Sequence, residues 1–233
     1  MMKRKTVGII GGMGPHSTIR LFEFIVERTP INSENDHLHI LIDNRPQIPD
    51  RTAAILGQGP SPVPALKDSA RLLENWGAEV IAIACNTAHY FWNEVQQAVT
   101  VPVLNMIKLV AQSAKKIGQG HYLLLATTGT VQSGLYQRYF PPEQIIVPEP
   151  PFQQQLMDII YGKGGVKHQG PTSVAVSRLL KIIRHYHGSK LVAIIAGCTE
   201  IELLLSHSVE NLPVIKPLEI LADAIVQFAI SES

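Results

Sequence analysis

The 233-residue chain predicts an α/β protein of two pseudo-symmetric, doubly wound parallel-sheet domains. Two observations lead there. Short unbroken runs of Val, Ile and Leu alternate with segments of helical period, the pattern of parallel strands covered on both faces by crossover helices. The strand ends of the first half also recur in order in the second half at a nearly constant distance, the mark of a duplicated unit. With 45% apolar and 17% charged residues the chain buries a core and is not disordered. Its length, about one and a half typical domains, fits two half-size lobes, expected at 1–113 and 114–233 with the C-terminal helix free to pack back on the first.

Strands are expected at 6–10, 39–42, 80–84, 122–126 and 191–196, each an apolar run without alternation that ends in Gly, Asn or Thr. Helical periodicity marks 17–27, 66–76, 88–99, 172–187 and 218–230. Pro and Gly cluster at 57–64, 141–151 and 162–171, which read as long loops. The opening MMKRKTVGII imitates a signal peptide, but its apolar run breaks at Gly11, Gly12, Gly14 and Pro15 with no cleavage-like segment behind it. No stretch approaches the roughly 18 apolar residues of a membrane span. A reducing cytoplasm is the expected location, where free thiols persist.

Three matches carry the duplication. GGMG at 11–14 answers TTGT at 127–130, an offset of 116. IAIACNTA at 81–88 answers AIIAGCTE at 193–200, which pairs Cys85 with Cys198 at an offset of 113. VPVLNMIKLV from 101 answers LPVIKPLEIL from 212, an offset of 111. Any two α/β halves share apolar strands and helix-starting Thr; matched cysteines are not part of that background.

Twenty basic against nineteen acidic residues leave a net charge of +1, too weak a field for nucleic acid or an anionic membrane, so the expected partner is a small molecule. Ligands of open parallel sheets bind beyond the carboxyl ends of the strands, here expected across a cleft between the lobes. Both cysteines lie at such ends. Cys85 precedes Asn86 and Thr87, and Cys198 precedes Thr199, so each thiol faces the start of a helix whose dipole favours a thiolate. Two such thiols on opposite sides of a carbon acid suit racemisation without a cofactor: one removes a proton and the other returns one to the opposite face. Hydroxyl, amide and backbone donors would neutralise the substrate carboxylate as the carbanion forms, and Asn86, Thr87, Thr199, Thr127, Thr128 and the amides of Gly12 and Met13 are the natural supply. Arg51, in the Asp50-Arg51-Thr52 context, and Lys167 repeat the 116-residue offset and could grip a second, distal carboxylate. That suggests an acidic amino acid. For each Thr alone, ordinary capping is the competing reading, and capping is compatible with binding.

GIIGGMGP, IPDRT, GQGPSPVPAL, ACNTAH, LLATTGT, GVK and GCTEIELL together resemble the aspartate/glutamate racemase family, most closely its aspartate racemase branch, over essentially the whole chain. The resemblance implies a cofactor-independent, pyridoxal-phosphate-free racemase, usually a homodimer, with its active site between two pseudo-symmetric domains. It implies Cys85 and Cys198 as catalytic bases, and Asn86, Thr87 and Thr199 on the α-carboxylate or amino group with Thr127 nearby. It further implies Arg51, beside Thr52, on the side-chain carboxylate. The family's loop lysine is matched by Lys167, with Lys163 as the alternative. Glutamate racemase relatives resemble a pattern with an acidic residue and Ser in the first turn and His after GCT; GGMG and Glu200 depart from it. His16 replaces a residue that is commonly small or apolar.

Zinc readings from Cys85 with His89, or from the His37, His39 and His185, His187 pairs, lack ligand spacing, and surface or capping roles are expected for these histidines. Two cysteines 113 apart supply no CxxC redox motif, and GGMG is no dinucleotide fingerprint. Trp76 and Trp92 are expected as core or interface anchors. The competing function is a non-catalytic two-lobed sensor of acidic amino acids, which would keep Arg51, Lys167 and the Thr donors without needing either thiol.

Overall fold

The computed structural model describes residues 4–188 and 190–231. The chain divides into two compact units, one built from the segment up to Met106 together with that from Leu218 onward, the other from Ile107–Pro217.

In the first unit, β1 (Val7–Gly11), α1 (Pro15–Arg28), β2 (Ile40–Asn44), α2 (Arg51–Ile55), α3 (Val63–Asn75), β3 (Val80–Ile83) and α4 (Trp92–Gln96) follow in order. The strands form a parallel sheet of order β2-β1-β3, and Val103 adds a parallel bridge to Ile81. Every residue of β1 and β3 is buried, as a strand covered on both faces demands. Helix α3 turns Leu66, Ala70 and Leu73 inward at helical spacing. In α1, Pro15 begins the helix, where its missing N–H costs nothing, and Leu21, Phe24 and Ile25 face the core. Ile19, Phe22 and Val26 leave a half-exposed apolar stripe on its other side.

The second unit continues through α5 (Met106–Ile117), β4 (His121–Leu124), α6 (Thr128–Gln132), β5 (Ile145–Ile146), α7 (Pro150–Tyr161), α8 (Val166–Gln169), α9 (Ser173–Tyr186), β6 (Leu191–Ile195), α10 (Thr199–Glu202), β7 (Ser208–Val209) and β8 (Leu212–Ile215), and α11 (Pro217–Ile230) closes the chain. Its sheet has the order β5-β4-β6-β8-β7, parallel except for β7 against β8. The order β5-β4-β6-β8 repeats β2-β1-β3 with Val103, so the repeat read from the sequence is a repeat of topology. The helices after the matched segments exchange places. From Ile107 onward α5 belongs to the second unit, where Tyr122 donates its hydroxyl to Ala114 and Gly118 carbonyls. From Leu218 onward α11 belongs to the first, held by Arg28 on Glu219 and Asp223, each at 2.8 Å.

Several elements depart from the sequence expectation. The helix expected at 88–99 is a 3-10 turn, Thr87–Phe91, followed by the short α4. The 141–151 loop ends inside α7, because Pro150 and Pro151 occupy the first helical positions, where proline is favoured. The 162–171 loop contains α8, and α5 occupies a stretch that the sequence marks only as a repeat match. Trp76 ends α3 with 55% of its surface exposed and is no core anchor.

The turn after β1 depends on glycine. Gly12 has φ +88°, and a Cβ there would lie 2.4 Å from the Arg45 carbonyl carbon. Gly57, at φ +70°, has no atom of the described residues within 4 Å of such a Cβ. Gly57→Ala should lower the unfolding free energy by only about 1 kcal/mol, the cost of a left-handed side chain. Gly12→Ala should cost roughly 1–3 kcal/mol more, because backbone must move. Urea unfolding of both variants measures the difference.

Candidate active site

In the first unit the candidate residues lie where β1 and β3 end and where α2 begins. Cys85 follows β3, is a free thiol, and is buried with Met13, Ile48 and Ala88 in one apolar cluster. Asn86 and Thr87, also buried, start the 3-10 turn. The Gly12 N–H donates to Thr18 Oγ1 at 3.0 Å, which ties the first turn to α1. Asp50 caps α2 by accepting from the Ala53 N–H at 2.8 Å, and this cap sets Arg51 and Thr52 as the first helical residues. The buried Arg51 guanidinium donates to the carbonyls of Met13 (3.2 Å), Ile48 (3.2 Å) and Pro49 (3.1 Å). It therefore joins the two loops after β1 and β2 and holds the Met13 segment. Thr52 Oγ1 is buried and has no hydrogen-bond partner among the described residues.

In the second unit the Thr127 hydroxyl caps α6 by accepting from the Thr130 N–H at 3.3 Å. Thr128 Oγ1 accepts from Gln153, and its N–H points to Met157 Sδ at 3.3 Å. Cys198 is the N-cap of α10 in an extended conformation, and its carbonyl accepts from the N–H groups of Ile201 and Glu202. Gly197 before it packs against β4: a Cβ there would lie 2.5 Å from Leu124 Cδ1.

Lys167 does not stand alone. Its ammonium donates to Glu200 Oε1 at 2.7 Å, while Glu200 Oε2 accepts from Cys198 Sγ at 3.0 Å and from Thr199 Oγ1 at 3.1 Å. Burial first, and then the Glu200 charge, push the Cys198 thiol well above its usual range, with Lys167 opposing. For Glu200 burial acts against ionisation, but Lys167 and the hydrogen bonds outweigh it and hold the carboxyl below its usual value. Lys163, the alternative to Lys167, is exposed.

Two residues shape the site beyond those singled out by the sequence. In the sequence Glu200 serves only as a branch marker, although an acid two places after a cysteine in the apolar GCTEIELL run is itself a signal. His89 is neither a surface nor a capping residue. It is buried; Nε2 accepts from the Met106 N–H at 3.1 Å, so Nδ1 carries the proton and donates to the Cys85 carbonyl at 2.8 Å. Both ring nitrogens are thus engaged within the protein, which leaves neither as a metal ligand. Among the described residues no helix is long and apolar enough to cross a membrane.

Comparison with known proteins identifies the family. The family model for Asp/Glu/hydantoin racemases matches residues 10–225. The chain is 34% identical to an aspartate racemase from Picrophilus torridus, whose structure superposes with a TM-score of 0.86 over 97% of this chain and 94% of that one. It is 28% identical to the broad specificity amino-acid racemase RacX of Bacillus subtilis, over 94% of this chain and 96% of that protein. A glutamate racemase from Francisella tularensis in complex with D-glutamate shares the fold, with a TM-score of 0.67 at 16% identity over 98% of this chain and 81% of that one.

The His89 clamp predicts a pH dependence. Burial lowers its pKa to about 4, below the 6.5 of a free imidazole. The unfolded chain therefore binds more protons below pH 6.5, and stability is fully present above that value and falls as pH drops toward 4. The unfolding free energy should decrease by roughly 3 kcal/mol across this window. In His89→Gln that component should vanish, as urea denaturation at a series of pH values would measure.

Proposed function

Because the chain belongs to the Asp/Glu/hydantoin racemase family, we propose that it interconverts the enantiomers of an acidic amino acid, aspartate foremost, without a cofactor. Cys85 and Cys198 are the two bases. The observation that carries this reading is the pair of free, buried thiols at the carboxyl ends of the topologically equivalent strands β3 and β6.

One sulfur, as thiolate, takes the α-proton; the other, as thiol, delivers its own to the opposite face of the α-carbon. The C–H electron pair passes into the carboxylate and returns to form the new C–H bond. Asn86, Thr87, Thr127 and the Met13 amide donate to the α-carboxylate, and the side-chain oxygens among them accept from the neighbouring ammonium; the Gly12 N–H, given to Thr18, and the Thr199 hydroxyl, given to Glu200, fix the segments beside them instead. Arg51 receives the distal carboxylate, with the Thr52 hydroxyl beside it as a further donor. The guanidinium is already oriented by three carbonyls, so little side-chain entropy is lost on binding. The 34% identity to an aspartate racemase supports the substrate. Lys167 supports a second reading: its charge is answered by Glu200, so one of the two cations expected for a distal carboxylate is already neutralised, which favours a broader substrate range. The working form in this reading is a cytoplasmic homodimer, and the α1 stripe of Ile19, Phe22 and Val26 is apolar surface that assembly would cover.

Chiral chromatography of L-aspartate, L-glutamate and neutral L-amino acids incubated with the protein in EDTA, with no cofactor added, tests the proposal. D-aspartate should accumulate, and Cys85→Ser and Cys198→Ser should each lower the rate by roughly 10²–10⁴-fold. Binding of aspartate without any D-enantiomer from any amino acid would make the protein a sensor instead.

A further inference from the structure

We propose that Glu200, braced by Lys167, is a positioning residue that holds the Cys198 proton, so that Cys198 rests as the acid of the thiol pair and its conversion to a base runs through this carboxylate. Four groups in the second unit carry it. The sulfur, the Thr199 hydroxyl and the ammonium converge on one buried carboxylate, with Sγ and Oγ1 on Oε2 and Nζ on Oε1. A carboxylate at 3.0 Å accepts a hydrogen bond from a thiol and repels a thiolate, so with Glu200 charged the proton stays on sulfur.

When the reverse direction needs Cys198 as a base, the S–H bond breaks and an O–H bond forms on Glu200 Oε2. The negative charge moves from carboxylate to sulfur with no change in the total. Lys167 is the counter-charge in both states, and its ammonium, half-buried beside the Tyr161 ring, has its charge on Oε1 whichever partner of Oε2 holds the proton. The remaining groups facing Cys198 do not perform this task. Tyr136 is fully buried, and burial first, then Glu202 and Cys198, raise its ionisation well above the usual value, so it stays a neutral phenol. Among the described residues Cys85 has no such carboxylate as a partner: its carbonyl meets His89, and its neighbours Met13, Ile48 and Ala88 are apolar. The two thiols are therefore unequal at rest, although the strands that carry them are equivalent.

The test reads each thiol separately without substrate. Iodoacetamide alkylation of Cys85 and Cys198 is followed by peptide mass spectrometry from pH 6 to 10 in the wild type, Glu200→Gln and Lys167→Met. Glu200→Gln keeps the shape and removes the charge, so Cys198 should alkylate at least about tenfold faster near pH 7.5, with its profile moved to lower pH. Lys167→Met leaves the carboxylate without its cation and should move the profile to higher pH. Cys85 should change little in either variant. Opposite shifts confined to Cys198 cannot come from loss of structure, which would speed both thiols together. An unmoved Cys198 profile in Glu200→Gln, shifts of the same sign in both variants, or Cys85 moving in step with Cys198 would each overturn the proposal. It rests on the reading of Cys198 as a base, but the two fail separately. The predicted shifts without racemisation would remove the function and keep the pair; racemisation without the shifts would remove the pair alone.

Discussion

The Ala84 N–H donates to the Ile10 carbonyl at 3.0 Å, and this last rung of the first unit's ladder sets where the chain leaves the sheet. Two residues beyond Ile10 stands Gly12, and one beyond Ala84 stands Cys85, so the turn amides and the thiol emerge at the same level. The second unit repeats the device. Leu125 donates to Ile195 and Ala196 to Ile215, each at 3.0 Å, just before Thr127 and Cys198 take up their capping positions. Parallel pairing allows this because every strand ends on the same edge of its sheet. Everything proposed about chemistry depends on that edge, and the apolar runs below it hold it in place.

Above the edge, charge is buried at a cost that must be offset locally. Glu200 is only 3% exposed, and a carboxylate so placed remains ionised because an ammonium and two further donors converge on it. Arg51 solves the same problem differently, with backbone carbonyls from two loops in place of a carboxylate. One cation thus stabilises a neighbouring acid and acts on a thiol through it, while the other fastens the turn that carries Gly12 and Met13. The equal sequence offset of Arg51 and Lys167 conceals unequal surroundings, and that difference bears on how many cations a distal carboxylate would meet.

The parallel-sheet architecture and the duplication were legible in the sequence because burial on both faces leaves long apolar runs, and because Cys85 and Cys198 mark the same point of each half. The N-cap Thr127 was legible too, since capping is a local, short-range preference, whereas Asp50 was met only as the neighbour of Arg51. What escaped was set by distance or by an ambiguous local signal. The Lys167 to Glu200 contact joins positions 33 residues apart across a stretch whose glycines read as loop. His89 is polar and sits near a helix start, yet tertiary packing buries it and uses both nitrogens. Helix α7 was obscured by the prolines that begin it, and the exchange of α5 and α11 between units leaves no local trace at all.

The central claim, two sulfurs acting as separate bases on one carbon, is tested most directly by isotope content at low conversion in deuterated buffer. Starting from protiated L-aspartate, the account predicts that each D-aspartate formed carries one solvent deuteron at the α-carbon while recovered L-aspartate still carries protium. The same asymmetry is predicted when the reaction starts from D-aspartate. Deuterium entering recovered substrate as fast as it enters product would mean that one group serves both faces, and would contradict the two-thiol account.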